Sequence, residues 1–283
     1  MNINEVAFSV LDLASTKDSD EGAAPALQRS LALVKRVEQL GFNRYWVAEH
    51  HNMDAIVSSA TAVVIGYLAA GTQTIRVGAG GVMLPNHAPI VIAEQFGTLE
   101  ALYPGRIDLG LGRAPGTDPL TSRALRKNLS GSVDDFPADV EELQAFLGPR
   151  QPGQKVVAMP GVDSNVPLWL LGSSLFSAQL AAKKGLPYAF ASHFAPRMMM
   201  QAIEIYRSQF QPSKFLDKPY VMLGVPLVAA DTDEQAEFLA TTTYQRILSL
   251  IRGQSLKMRP PVASMEGLWH PQEEQTVRDF LGL

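Results

Sequence analysis

A (β/α)8-type barrel is the fold class this sequence predicts, and three observations predict it. Short apolar runs alternate with helical patterns along most of the chain, which favours a parallel sheet with helices outside. Seven such runs can be read, more than the about five or six strands of a doubly wound sheet, and the first turn, residues 12–22, holds a single glycine, Gly22. The 283 residues also suit one α/β barrel, a unit that runs to about 250 residues as a single domain. An eighth strand is not legible, so the expected fold is a barrel lacking its last strand, with strands one and seven as open edges.

The elements follow in order. Residues 6–13 read as the first strand. Leu27, Leu31, Val34, Val37 and Leu40 recur at helical spacing between Pro25 and Gly41. Residues 43–48 form a second strand, 60–70 a helix of small residues ending at Gly71, and 75–84 a third strand. A helix over 89–102 is stopped by Pro104 and Gly105, and 106–111 is the fourth strand. Residues 114–165 then break the rhythm. They are rich in Gly, Pro, Ser and Asp, with one helix expected at 138–146, and read as an insertion that could act as a lid. Alternation resumes with strand 166–171, helix 175–184, strand 188–192, helix 196–210, strand 220–229 and helix 233–251. A linker over 253–261 and a last helix over 270–281 complete a single domain spanning 1–283.

Composition narrows the function. Hydrophobic residues make up 46% and charged residues 18%, enough apolar material for a large core. A net charge of −4 argues against a nucleic-acid binder working through a basic face. No cysteine is present, which removes disulfides, thiolate metal sites, iron–sulfur clusters and Cys nucleophiles. The first residues carry Glu5 and Asp12 with no basic-then-apolar pattern, and no apolar run reaches the roughly 20 residues of a membrane span. A cytoplasmic protein without a membrane partner is the expectation.

In such barrels the reactive groups sit where strands end. Strand two ends Ala48-Glu49-His50-His51-Asn52, a charge and two imidazoles that need partners if buried. Adjacent histidines alternate sides, so one can face the barrel mouth while the other supports it. A metal site built from these with His87 and His193 is the rival, but the spacing matches no standard metal motif and no metal is expected. Strand three carries Gly78, Gly80 and Gly81, which fits either a flat ligand on bare backbone or a tight barrel corner. Strand four ends Gly110-Leu111-Gly112-Arg113-Ala114-Pro115-Gly116. This is not G-x-G-x-x-G, and it leaves an Arg whose fork suits a phosphate or carboxylate, with a structural ion pair as the alternative. Strand five ends Gly172-Ser173-Ser174, with Ser177 one turn on: an anion site at a helix N-terminus, or an ordinary serine cap. Together these residues suit a phosphorylated planar cofactor such as FMN. G-x-S-x-G is absent, so no serine hydrolase is indicated.

Five segments carry a family resemblance: Tyr45 to Asn52, Val77 to His87, Ala93-Glu94-Gln95-Phe96, Pro104 to Arg113, and Leu171-Gly172-Ser173-Ser174. In these the chain resembles the bacterial luciferase-like flavin-dependent monooxygenases, from Val6 to about Leu281. The resemblance implies a TIM barrel that binds reduced FMN or, in one branch, the deazaflavin F420. It implies that His50 is the catalytic histidine beside the flavin edge where oxygen reacts. It implies that Gly80-Gly81 is the dipeptide under the flavin ring, often joined by a cis bond. Arg113, Ser173, Ser174 and Ser177 match phosphate-binding positions, and Glu49 and Gly172 are grouped with the cofactor-binding residues. Luciferase itself has a cysteine where this chain has Gly112, so light emission does not carry over.

The implied reaction is oxygenation of a small organic substrate, with an aldehyde as precedent and a separate flavin reductase as transient partner. An F420-dependent hydride transferase and a non-catalytic flavin-binding protein are the alternatives. The resemblance also implies a possible homodimer through the first helices, and family chains usually place an eighth strand and closing helix after a helix such as 270–281.

Overall fold

The computed structural model describes residues 5–20, 22–114, 118–125, 135–193 and 195–282. Its strands are β1 (Ser9–Asp12), β2 (Arg44–Val47), β3 (Arg76–Met83), β4 (Ile107–Gly112), β5 (Leu168–Gly172), β6 (Tyr188–Phe190) and β7 (Val221–Leu223). They form one curled sheet in which spatial order is chain order and every neighbouring pair is parallel. This is the wall of a (β/α)8-type barrel without its eighth strand among the described residues. The helices are α1 (Ala24–Gln39), α2 (Thr61–Ala70), α3 (Pro89–Leu102), α4 (Pro119–Leu125), α5 (Phe136–Leu147), α6 (Leu175–Lys184), α7 (Met199–Gln209), α8 (Asp233–Ile251) and α9 (Pro271–Leu281). No described helix is long and apolar enough to cross a membrane.

Strand alternation divides the side chains into two sets. Tyr45, Val47, Val77, Ala79, Leu109, Leu111, Leu170 and Tyr188 join the large core between sheet and helices. Trp46 and Trp169, with Ala189, Leu171 and Met222, make a separate cluster on the other, inner face. The two indoles meet edge to face at 5.2 Å. Below them, toward the N-terminal ends of the strands, Asp108 accepts from Arg44 Nε (3.0 Å), Arg76 Nη2 (2.7 Å) and Trp46 Nε1 (3.2 Å). Arg44 also lies over the Trp169 ring, 5.0 Å from its centroid. Two cations bracket one carboxylate that is fully buried, so each charge has the partner its burial demands. This plug closes one end of the barrel and leaves the other end for chemistry.

Between the open edges the loops do some bridging. Residues after α8 pair with the β1–α1 loop through Met258 N to Thr16 O (2.8 Å) and Asp18 N to Met258 O (3.2 Å). The α8–α9 pair keeps its own small core of Ile247, Leu248, Met265 and Val277.

Two expectations need correction. The seventh strand is Val221–Leu223, far shorter than 220–229. Pro226 has no N–H to give a ladder, and Val225 and Leu227 are exposed. The segment 114–165 contains a second helix, α4, unseen because its seven residues bury nothing and show no apolar periodicity. Within 114–165, α5 also proves to be the crossover helix between β4 and β5, burying Phe136, Val140, Leu143, Phe146 and Leu147. The far end of that segment lies on α3, where a Cβ on Gly97 would strike the Gly161 backbone. Residues 115–117 and 126–134 of the expected insertion lie outside the described residues, Pro115 and Gly116 among them.

Candidate flavin site

The predicted site residues fall on the C-terminal ends of four consecutive strands, β2 to β5, so sheet register brings them together. Val82 stands opposite Leu111 and Met83 opposite Gly112, and Leu111 is in turn opposite Leu170. Between Ala79 and Val82 the β3–β4 register shifts, and the Gly80–Gly81 peptide there is cis. The two glycines have different surroundings. A Cβ on Gly81 would stand 2.7 Å from the Gly110 carbonyl oxygen, a backbone that cannot yield. A Cβ on Gly80 would meet Leu11 Cδ1 at 2.9 Å and the Trp46 ring at 3.0 Å. Gly81 is buried and Gly80 half-buried, so the strand offers bare backbone to the mouth at Gly80.

Glu49 follows β2 and is 1% exposed. Its Oε1 lies 2.7 Å from His51 Nε2 and 2.8 Å from His87 Nε2, and its Oε2 accepts from Met83 N at 3.0 Å. Glu49 N donates to Gly81 O at 3.3 Å. One residue therefore clasps the two peptides that follow the glycine pair, on either side of Val82. Burial opposes its charge, but hydrogen bonds from His87, His51 and Met83 outweigh burial and hold its pKa below the ordinary carboxylate value. A carboxylate has only acceptors, so both imidazoles present Nε2–H to it. Sequence reasoning noticed His51 and His87 but not that they share one oxygen with Glu49. The three ligand atoms lie within 4.8 Å of one another and could hold a cation. The hydrogen bonds account for all of them. His50 leaves the same turn half-buried, its backbone fixed by the neighbour that Glu49 locks.

The anion site is built from β4 and β5. Arg113 follows Gly112 and lies with its guanidinium carbon 4.1 Å from the centroid of the Phe176 ring. Among the described residues no hydrogen bond or ion pair uses its donors, so the structural ion pair weighed from sequence is not formed there. Ser174 stands at the N-cap of α6 with extended backbone, yet its side chain accepts no cap hydrogen bond. The ordinary serine cap is thus also not formed, and the first-turn N–H groups keep their capacity for an anion. Ser173 and Ser174 are accessible. Ser177 is not: it is 4% exposed and donates to the Ser174 carbonyl at 3.1 Å. Gly172 leaves room for it, since a Cβ there would overlap the Ser177 hydroxyl. Ser177 therefore shapes the turn from behind. Tyr188, its phenol pKa raised by burial, stays a neutral donor 3.4 Å from the same carbonyl.

Two further features edge the mouth. His193 packs against Gly224 after β7, and burial lowers its pKa, favouring the neutral imidazole. Asn52 Nδ2 donates to Asp118 at 3.2 Å, tying the loop after His50–His51 to the start of α4.

Comparison with known proteins gives the family of the chain. The family described as luciferase-like monooxygenase matches residues 6–276. The chain is 53% identical to a "Luciferase-like monooxygenase" of Escherichia coli (strain K12) over 283 residues, all of this chain and 84% of that one. It is 38% identical to the "N-acetyl-S-alkylcysteine monooxygenase" of Bacillus subtilis (strain 168) over 238 residues, 82% of this chain and 70% of that one. Among solved structures it is similar to apo-MsnO8 at a TM-score of 0.85 and 32% identity, covering 98% and 90% of the two chains. Fold likeness alone extends to a 3,6-diketocamphane monooxygenase constituent in complex with FMN (TM-score 0.69, 15% identity, 87% and 74% covered). It extends equally to an F420-dependent secondary alcohol dehydrogenase (TM-score 0.64, 16% identity, 98% and 83% covered).

Proposed function

The chain belongs to the luciferase-like monooxygenase family, and on that premise we propose that it uses reduced FMN and O2 to oxygenate a small organic substrate, an aldehyde being the first class to test. The observation that carries the reading is the unspent Arg113 fork beside the uncapped α6 terminus, one strand away from the bare backbone at Gly80. These residues fit a phosphorylated planar cofactor: Arg113, Ser173 and the first turn of α6 would hold the phosphate, and Gly80 would leave room for the ring. FMN, delivered reduced by a separate reductase, would supply the electrons and the carbon at which O2 reacts.

The chain's own residues do the rest. Glu49, with His51 and His87, holds the glycine bend in place. His50 moves the proton at the reacting edge, since an imidazole can serve as either general acid or general base. The inner indoles Trp46 and Trp169, with Leu171 and Met222, give the barrel floor an apolar lining that excludes water from the reacting edge. His50→Ala tests the role: general acid–base loss should lower the oxygenation rate roughly 100-fold or more, with FMN affinity little changed. An unaltered rate would remove His50 from the mechanism.

A second reading, F420-dependent hydride transfer, is favoured by the same anchor, whose donors suit a phosphodiester as well as a monoester. Separate titrations with FMN and F420 distinguish them, and tight flavin binding without turnover would favour a binding protein instead. A homodimer is supported by α2, which is apolar on its outer side too: Val63 is 72% exposed and Tyr67 42%, beside Val91 of α3 at 42%. Val63→Asp should then shift the protein toward monomer in sedimentation, and a wild-type monomer would refute the dimer.

A further inference from the structure

We infer that Phe176 is the positioning residue that makes the phosphate end of the cofactor count, by holding the Arg113 guanidinium over its ring beside the α6 terminus; this rests on the phosphate-anchor reading above. The two residues come from different β/α units. Arg113 follows β4, and Phe176 sits in the first turn of α6, after β5. Their contact, 4.1 Å from guanidinium carbon to ring centroid, joins them. Phe176 is half-buried and packed against the main core, so the ring is a fixed platform and not a free surface group.

The geometry has a chemical consequence. A guanidinium whose carbon sits 4.1 Å over a ring centroid is attracted through the face of the ring, a contact that uses none of its N–H donors. None is taken by a described residue. The stack therefore orients the fork without spending a donor, which an ion pair would not do. It also removes side-chain freedom before the ligand arrives, so less is lost on binding. The same first turn presents the uncapped N–H groups, and the ring thus sets one half of the anchor against the other. Gly112 permits this path, because a Cβ there would stand 3.0 Å from the Met83 sulfur.

The alternative is that Phe176 merely fills space. Comparing FMN with riboflavin, which lacks the phosphate, separates the two. Dissociation constants for both would be measured by flavin fluorescence on the full chain, for wild type, Phe176→Leu, Phe176→Trp, Arg113→Ala and the Arg113→Ala/Phe176→Leu double variant. Phe176→Leu should cut the preference for FMN over riboflavin about two- to fivefold, the range of a partly exposed cation–π contact, and leave riboflavin affinity unchanged. Phe176→Trp should keep or raise the preference, and Phe176→Leu should add nothing in the Arg113→Ala background. Equal weakening of both ligands, or a loss that persists without Arg113, overturns the inference. If Arg113→Ala lowers the preference and Phe176→Leu does not, the phosphate anchor stands and the role of Phe176 falls. If Arg113→Ala leaves the preference intact, the anchor itself falls and the inference with it. Should Phe176→Leu not fold, Phe176→Trp decides: a reduced preference with the larger ring refutes the platform. Should FMN not bind at all, both fail.

Discussion

Removing the Glu49 carboxylate should weaken the barrel and the site together. Three donors converge on it: His51 Nε2 and His87 Nε2 at 2.7 and 2.8 Å, and Met83 N at 3.0 Å. Glu49→Ala leaves all three facing a space that was fully closed to solvent. Each buried donor left unsatisfied costs about 1–3 kcal/mol, less what an entering water restores. The expected loss is about 3–5 kcal/mol, the range for breaking a buried charged network. Glu49→Gln should cost less, about 1–2 kcal/mol. Its amide can face both imidazoles if they switch to Nδ1–H, while its oxygen accepts from Met83. Urea unfolding read by midpoint at constant slope measures both. The pH dependence adds an independent check. The folded pKa of Glu49 lies below its ordinary 4.5, so its contribution is fully present above that pH and is lost as pH falls through the folded value. Glu49→Gln should therefore flatten the acid limb of the stability curve. Because Glu49 also clasps Gly81 and Met83, Glu49→Ala should weaken FMN binding at least tenfold. A loss below 1 kcal/mol in Glu49→Ala, with an unchanged acid limb in Glu49→Gln, would refute the clasp.

Three other substitutions follow from the same barrel geometry. At Gly81 an added Cβ meets the Gly110 backbone, whereas at Gly80 it meets side chains, one of them the 41% exposed Leu11. Gly81→Ala should therefore lower stability by about 1–3 kcal/mol and Gly80→Ala by less, yet Gly80→Ala should lose FMN affinity by placing a methyl on the bare backbone; parallel thermal melts and flavin titrations check the pair, and the reverse order of stability would contradict it. Asp108→Ala strands Arg44 and Arg76 at the closed end of the barrel. With both arginines partly exposed, the expected cost is about 2–4 kcal/mol in denaturant unfolding, with FMN affinity unchanged because the plug lies at the opposite end from Gly80 and Arg113.

Local sequence signals and long-range pairing account for what could be read and what could not. Strand ends were legible because glycines, prolines and short apolar runs punctuate them, and barrel logic then placed Glu49, His50, Gly80, Arg113 and Ser173 on one rim. The helices 89–102, 175–184 and 233–251 appear with the boundaries read from periodicity. Partnership is a different matter. Glu49 meets His87 across 38 residues, and Arg44 meets Asp108 across 64. Both pairings depend on strand register, which composition does not encode. For the same reason the sequence groups Glu49 with the cofactor-binding residues and Ser177 with the phosphate positions without showing that Glu49 also takes three protein donors and Ser177 also bonds within its turn. Phe176 carried a signal, an aromatic inside the serine-rich turn, but its meaning required knowing that β4 and β5 are neighbours.

The division of labour along the barrel explains why such a site tolerates bare backbone. Gly78, Gly80, Gly81 and Gly110 give two neighbouring strands little side-chain packing of their own. A sheet weakened at its centre has to be held from both ends. At the closed end Asp108 ties β2, β3 and β4 through two arginines and an indole. At the open end Glu49 ties β2 to β3 by its own backbone and by Met83. The two carboxylates are nearly or fully buried, so each bond they make is strengthened by low local dielectric and each is costly to lose. Rigid clasps above and below leave the glycines between them free of a structural side chain. A flat ligand can then approach the backbone there without the strands having to move.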